Sequence, residues 1–159
     1  MTARFPRPRF SQPWSSKVVA WSDSGVRVVL RRDREPGATV ELVRCVTGRL
    51  RLAYPVAARD IEVRVLDVAT SEDLTAVLRA AGPAAREADP QCRKVVFAVD
   101  RSEPGCGPLS YLDAIEAAEA AGFRYVVDVD LADAELSLLV AEPEWATAVD
   151  IDLDHVPGT

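Results

Sequence analysis

The fold is decided by residues 94–130, which read KVVFAVD-RSEPGCGPLS-YLDAIEAAEAAG-FRYVVDVD. The first block is a run of β-branched and aromatic residues, which is typical of a buried strand. Proline and glycine break the second block, and Ser110 then supplies a helix N-cap, with Asp113 three residues later closing a capping box. Gly122 predicts the end of that helix, since glycine is the usual left-handed terminator. The last block predicts a returning strand, so the segment is interpreted as a βαβ unit.

Upstream of this unit, the sequence predicts an antiparallel meander of four or five strands. Apolar and polar residues alternate within each segment, and turn-forming residues separate the segments. The predicted strands span residues 17–21, 25–31, 39–46, 49–54 and 60–68.

A helix is predicted after the meander, capped by Thr70 or Ser71 and broken at Gly82-Pro83. Its buried stripe is formed by Leu74, Val77 and Leu78, at helical spacing. Downstream, residues 135–142 predict a strand that forms a hairpin with residues 124–130. Residues 149–156 alternate acidic and apolar side chains, which is compatible with an edge strand.

Residues 1–13 contain three prolines, Arg4, Arg7 and Arg9 but no acidic residue, and they predict an extended arm. Three interpretations of the arm are open. It is disordered, or it places the aromatic rings of Phe5 and Phe10 on a neighbouring surface. The least favoured interpretation is that it contacts nucleic acid. One domain is the expectation for 159 residues. We therefore assign residues 1–13 to the arm and residues 14–159 to a single domain.

Charge is divided unevenly along the chain. Residues 1–64 contain 13 Lys and Arg and 6 Asp and Glu, whereas residues 65–159 contain 6 and 19, and the net charge is −6. An acidic protein of this kind is not expected to bind nucleic acid in general. The two halves are expected to attract each other, within one chain or across a homodimer.

Cysteine and histidine are too few for a metal or disulfide framework. The three cysteines lie far apart without CxxC spacing, and the only histidine is His155. No metal site is therefore expected. No apolar run approaches the ~18 residues of a membrane span, and no secretory signal is seen at the N-terminus, so we expect a cytoplasmic protein without a membrane partner.

The order of these elements resembles the Gcn5-related N-acetyltransferase (GNAT) superfamily. Residues 92–100 (CRKVVFAVD) and 114–129 (AIEAAEAAGFRYVVDV) are similar to the fifth strand, last helix and sixth strand of its siderophore-pathway acyltransferase branch. The resemblance covers residues 61–142. It implies an α+β fold with a mixed, mostly antiparallel twisted sheet and two main helices. It also implies acetyl-CoA or another acyl-CoA as donor and a small-molecule or protein amine as acceptor.

Individual residues follow from this resemblance. Asp100 matches an Asp of the siderophore-branch motif, which implies that it orients or deprotonates the amine; the alternative is a simple loop or helix cap. Coenzyme A is expected between the strands at 60–68 and 94–99. Its phosphates are expected near Ala69, Thr70 and Ser71. Gly105 and Gly107 form a second candidate phosphate loop, with a flexible connection as the alternative.

Departures from the GNAT pattern favour a second hypothesis. Residues 69–73 contain no glycine where the family has its pyrophosphate loop, and Glu72 and Asp73 would repel an anion at the helix start. Ala118 occupies the position where the family often has a tyrosine that acts as an acid. The siderophore branch also has a histidine before the first helix of this region, and this sequence has none there. The alternative function is therefore a degenerate, non-catalytic GNAT-like domain that binds a partner or ligand, as a dimer.

Overall fold

The computed structural model describes residues 5–32, 37–52, 57–101 and 109–142. Within these ranges the chain forms seven strands, two α-helices and one turn of 3-10 helix at Cys45–Thr47. In chain order the elements are β1 (Ser15–Trp21), β2 (Gly25–Arg31), β3 (Ala38–Arg44), β4 (Ile61–Asp67), α1 (Ser71–Ala88), β5 (Val95–Asp100), α2 (Tyr111–Ala120), β6 (Arg124–Asp130) and β7 (Glu135–Ala141). The predicted fold class is confirmed.

The strands form a single sheet in the order β1-β2-β3-β4-β5-β7-β6. Every neighbouring pair is antiparallel except β4 and β5, which are parallel and joined by α1. The predicted hairpin of β6 and β7 is confirmed. The predicted βαβ unit is also present, but β7 lies between its two strands, β5 and β6.

Both helices pack on one face of the sheet, which we call the helix face; the other is the back face. Val95, Phe97 and Val99 of β5 point to the helix face and share a core with α1 and α2. Residues between them point to the back face, where a smaller apolar cluster forms. Its buried members are Cys45, Leu50, Val96, Val129, Leu136, Leu138 and Val140.

The predicted strand at 49–54 is wrong over its described part. Residues 49–52 form a turn, with the Arg51 N–H donating to the Gly48 carbonyl at 3.3 Å. Leu50 and Leu52 are spaced like the apolar residues on one face of a strand, which explains the wrong prediction. In the structure Leu50 is buried in the back-face cluster, whereas Leu52 is 89% exposed. Residues 53–54 lie outside the described ranges. Over residues 15–32, 37–52 and 57–67 the meander therefore has four strands, β1 to β4.

The predicted break at Gly82-Pro83 is also wrong, because α1 continues to Ala88. Proline inside a helix costs about 3 kcal/mol, since it removes a backbone hydrogen bond and crowds the preceding turn. Ala81, Gly82 and Ala84 are buried on both sides of Pro83, so tertiary packing holds this part of the helix in place.

The boundaries of α2 agree with the prediction. The Ser110 hydroxyl accepts a hydrogen bond from the Asp113 N–H at 3.1 Å. Gly122 has φ of +97°, the left-handed conformation that favours glycine after a helix. These local signals fix where the connection between β5 and β6 crosses the helix face.

Residues 5–13 have no regular secondary structure, but Phe5 is a core residue with 1% exposure. The Phe5 N–H donates to the Ser22 carbonyl at 2.9 Å, and the Trp21 indole donates to the Phe5 carbonyl at 2.6 Å. The Arg44 guanidinium lies 5.0 Å from the ring centre. This packing matches the interpretation in which the arm places an aromatic ring on a neighbouring surface; the boundary at residue 13 stays a prediction.

Neither described helix has the length and apolar character required to cross a bilayer. The predicted strand at 149–156 lies outside the described residues.

Candidate functional site

The sheet opens between its two parallel strands. The ladder between β4 and β5 ends at the pair Val63 and Phe97. Beyond that pair, β4 stays bonded to β3 as far as Asp67, and β5 stays bonded to β7 as far as Asp100. The two strands therefore separate toward their C-terminal ends. We call this opening, between residues 64–67 and 98–100, the wedge.

A β-bulge in β4 lies within the wedge. Val65 lies opposite Val40, and Asp67 lies opposite Thr39, so Leu66 is an extra residue in the β3–β4 ladder. A bulge bends its strand and increases the local twist. Leu66 lies beyond Val63, where the pairing of β4 with β5 has already stopped.

Asp100 and the start of α1 approach the wedge from opposite faces. Val99 points to the helix face, so the pleat directs the half-buried Asp100 side chain to the back face. α1 begins four residues after β4 ends, and it packs on the helix face. Asp100 thus ends the strand on one side of the wedge, and Ala69, Thr70 and Ser71 follow the end of the strand on its other side. Gly105 and Gly107 lie outside the described residues.

The N-terminus of α1 has a regular cap. The Thr70 hydroxyl accepts a hydrogen bond from the Asp73 N–H at 3.1 Å. The N–H groups of Ser71 and Glu72 belong to the first turn, which has no carbonyl within the helix to accept from them. Such groups and the helix dipole favour an anion at this end.

Acidic side chains oppose this attraction. Glu72, Asp113 and Glu116 line a groove of about 190 Å³ between α1 and α2. Part of the local negative charge is compensated, because the Arg32 guanidinium lies 3.4 Å from the Asp73 carboxylate and 4.8 Å from the centre of the Trp14 ring. The start of α1 therefore offers both favourable backbone dipoles and unfavourable carboxylates to a phosphate.

Sequence analysis missed a polar network on the helix face. The Ser137 hydroxyl donates its one proton to the Asp128 carboxylate at 2.7 Å. In its second contact, at 2.8 Å, Ser137 must therefore accept from the Tyr111 hydroxyl. The hydrogen bonds from Ser137 and Tyr125 hold the pKa of Asp128 below its usual value. Donating its hydroxyl proton to that carboxylate in turn raises the pKa of Tyr125. Only the register of β6 and β7, which places Asp128 opposite Ser137, could have revealed this network.

The network leads away from the wedge. Ser137 pairs with Val99 of β5 on one side and with Asp128 of β6 on the other, so the Tyr111 hydroxyl lies over β7. The wedge lies on the opposite side of β5. Tyr111 is therefore not directed at the wedge, and Ala118 is buried in the core.

The remaining candidates contribute no reactive group in the described part of the chain. Burial is the main cause that raises the pKa of the Cys92 thiol to about 11, and it also raises that of Cys45. No group of three or more His, Cys, Asp and Glu side chains suited to a metal occurs among residues 5–32, 37–52, 57–101 and 109–142. His155 lies outside those ranges.

The fold is similar to those of solved acetyltransferases. Aminoglycoside acetyltransferase AAC(6')-Ib in complex with coenzyme A and kanamycin matches with a TM-score of 0.61 and 17% identity, over 76% of this chain and 68% of that chain. The same protein in complex with Parmomycin and acetyl-CoA matches with a TM-score of 0.61 and 17% identity, over 76% of this chain and 66% of that chain. An uncharacterized protein (bh2621) from Bacillus halodurans gives a TM-score of 0.62 and 19% identity, over 76% of this chain and 60% of that chain.

No model of a known protein family matches the chain, and no curated protein does. The chain spans about two thirds of the length of these aminoglycoside acetyltransferase chains. With an opened parallel strand pair inside a mostly antiparallel sheet, the chain has the acyl-CoA N-acyltransferase-like fold of these neighbours.

Proposed function

We propose that the protein binds acyl-CoA at the wedge and transfers the acyl group to an amine. The observation that carries this proposal is the open end of the β4–β5 ladder, with a helix N-terminus on one face and the Asp100 carboxylate on the other. A donor approaching from the helix face and an acceptor approaching from the back face would meet between the two strands.

Backbone groups of the wedge suit the donor. Beyond Val63, the edge of β4 that faces β5 has no ladder partner in that strand. Peptide N–H and C=O groups require partners, and an extended ligand with amide groups can supply them by adding to a strand edge. The pantetheine part of coenzyme A has that chemistry. The first turn of α1, with Ala69, Thr70 and Ser71, is the proposed contact for the pyrophosphate.

The chemistry requires little from the protein beyond positioning and proton transfer. Bound acyl-CoA would supply a thioester, whose carbonyl carbon forms a bond to the amine nitrogen while its bond to sulfur breaks and the sulfur leaves as a thiol. An ammonium cannot attack, so one proton must first leave the acceptor. We assign to Asp100 the tasks of attracting the ammonium and accepting that proton.

The acceptor is proposed to be a small-molecule or protein amine. The similarity of residues 92–100 and 114–129 to the siderophore-type branch supports an amine acceptor that enters beside Asp100. Gly105 and Gly107 stay predicted phosphate contacts.

Calorimetric titration with acetyl-CoA and with free CoA, at two salt concentrations, tests donor binding. Turnover with an amine panel, followed through release of the CoA thiol, tests transfer. Asp100→Asn should leave acetyl-CoA affinity unchanged and abolish most turnover, because it removes charge and basicity but keeps the side-chain shape. Asp23→Asn, in the exposed β1–β2 turn, is the matched control and should change neither. Full turnover by Asp100→Asn would remove Asp100 from the mechanism.

A second function is favoured by the acidic groove between α1 and α2. Glu72, Asp113 and Glu116 surround the place where the pyrophosphate would enter. The second candidate function is therefore a degenerate domain that binds a partner, as a homodimer held by its oppositely charged halves. Sedimentation velocity at low and high salt tests this alternative. A dimer that dissociates at high salt, together with no heat from millimolar acetyl-CoA, would favour it over the transferase.

A further inference from the structure

Three charged side chains on adjacent strands of the back face form a cluster that the proposed reaction does not use. The Glu41 carboxylate on β3 accepts hydrogen bonds from Arg27 on β2, at 3.0 and 3.2 Å, and from Arg64 on β4, at 3.3 Å. One carboxylate thus bridges two guanidinium groups. The cluster carries one net positive charge.

This cluster lines a cavity of about 440 Å³ on the back face. Trp21, Ser22 and Ser24 form part of the remaining wall. Both guanidinium groups are about half exposed, with side-chain exposures of 46% and 40%. Their bonds to Glu41 use Nε and Nη2 of Arg27 and Nη1 of Arg64, so within the described residues the Nη1 group of Arg27 and the Nε and Nη2 groups of Arg64 donate to no protein atom.

The cavity borders the wedge on the side of Asp100. Arg64 is the first residue of β4 beyond the last pair with β5, and its contact with Glu41 places it on the back face, as the pleat places Asp100. Ala98 of β5 lies level with Arg64, and Asp100 lies two residues beyond Ala98 along β5. Two residues of rise and one strand spacing put the two Cα atoms roughly 8 Å apart before the strands splay.

We propose that the Nε and Nη2 groups of Arg64 bind a carboxylate of the acceptor, so that the substrate class is an amine that also carries a carboxylate. This inference rests on the proposed function. Guanidinium groups offer paired donors that match carboxylate geometry. Arg27 lies two strands beyond Arg64 and adds positive charge to the same cavity. The acceptor's ammonium would lie at Asp100 and its carboxylate at Arg64, two residues whose Cα atoms are roughly 8 Å apart.

Two probes that differ only in the carboxylate test the inference: 6-aminohexanoate and hexylamine. Binding is followed by calorimetry. Arg64→Gln removes one donor group, and Glu41→Gln removes the carboxylate that competes for both guanidinium groups. Arg31→Gln is the matched control, because it removes an arginine from the same strand as Arg27 but outside the cavity lining.

The wild-type protein should bind 6-aminohexanoate about tenfold or more tightly than hexylamine, as expected for hydrogen bonds to a charged group. Arg64→Gln should remove most of this preference, and Arg31→Gln should keep it. Glu41→Gln should tighten 6-aminohexanoate binding, whereas a purely structural role for the cluster predicts weaker binding. Equal affinity of the wild type for both probes, or equal losses in Arg64→Gln and Arg31→Gln, would overturn the inference.

The two proposals fail in different ways. If acetyl-CoA binds but the two amines bind alike, the acceptor class is wrong and the proposed function stands. If 6-aminohexanoate is preferred but acetyl-CoA does not bind at millimolar concentration, the proposed function fails, and the acceptor role of the cavity fails with it.

Discussion

Replacing Phe5 by alanine should destabilise the whole domain, although Phe5 lies in a segment without regular structure. The ring is a member of the main core cluster and lies under the Arg44 guanidinium, and the Trp21 indole donates to the Phe5 carbonyl. Truncating a buried phenylalanine costs about 3–5 kcal/mol, from lost transfer energy and the cavity left behind. We expect the lower end, about 3 kcal/mol, because an irregular segment can relax into the space more readily than a strand can.

Urea unfolding followed by circular dichroism measures this loss. For a domain of this length, 1 kcal/mol corresponds to roughly 2–4 °C in melting temperature, so Phe5→Ala should melt about 6–12 °C below wild type. Phe10→Ala is the matched control: Phe10 is only partly buried against the same cluster, and its loss should cost about 1 kcal/mol. If Phe5→Ala loses no more stability than Phe10→Ala, residues 5–9 are not part of the core and the description of the arm is wrong.

Three further results are expected. Ser137→Ala should lower the free energy of unfolding by about 1–3 kcal/mol, because it leaves the Tyr111 hydroxyl and the Asp128 carboxylate without their shared partner. Thermal unfolding measures this loss, and a change below about 0.5 kcal/mol would contradict it. Asp128→Asn should be less stable than wild type at neutral pH, and the difference in stability should shrink as pH falls below about 4. A carboxyl with a lowered native pKa stabilises the fold only while it is ionised. Urea titrations from pH 6 to 3 measure this difference, and a difference that does not change with pH would contradict the expectation. Cys45 and Cys92 should resist Ellman's reagent at pH 8 until the protein unfolds, since both buried thiols have raised pKa values; peptide mapping that finds either modified in the native protein would contradict their burial.

Local signals allowed much of the fold to be predicted from the sequence. Alternation of apolar and polar residues predicted β2, and turn-forming residues predicted where the strands of the meander end. Ser110 and Gly122 predicted the two ends of the α2 segment. These features depend on residues within a few positions of one another, so no tertiary information was needed to find them.

Long-range packing explains the errors. Leu50 takes part in a turn because its side chain completes the back-face cluster, and α1 passes through Pro83 because its neighbours are buried. The insertion of β7 between β5 and β6 follows from pairing energies across the sheet, which no local pattern reports.

The candidate site was predicted in the same uneven way. Asp100 and Thr70 could be proposed as site residues because each lies at the end of a recognisable element. The bulge at Leu66 could not be found, since that residue fits the alternation of its strand and becomes an extra residue only against β3. The Arg27–Glu41–Arg64 cluster requires the register of three strands.

Amide hydrogen exchange with and without acetyl-CoA tests whether the wedge is the acyl-CoA site. Residues 64–67, 98–100 and 70–72 should gain protection, because a donor in the wedge would occupy those backbone groups, and exchange in β1 should not change. Unchanged exchange in those segments at millimolar acetyl-CoA, or protection confined to another part of the sheet, would contradict it.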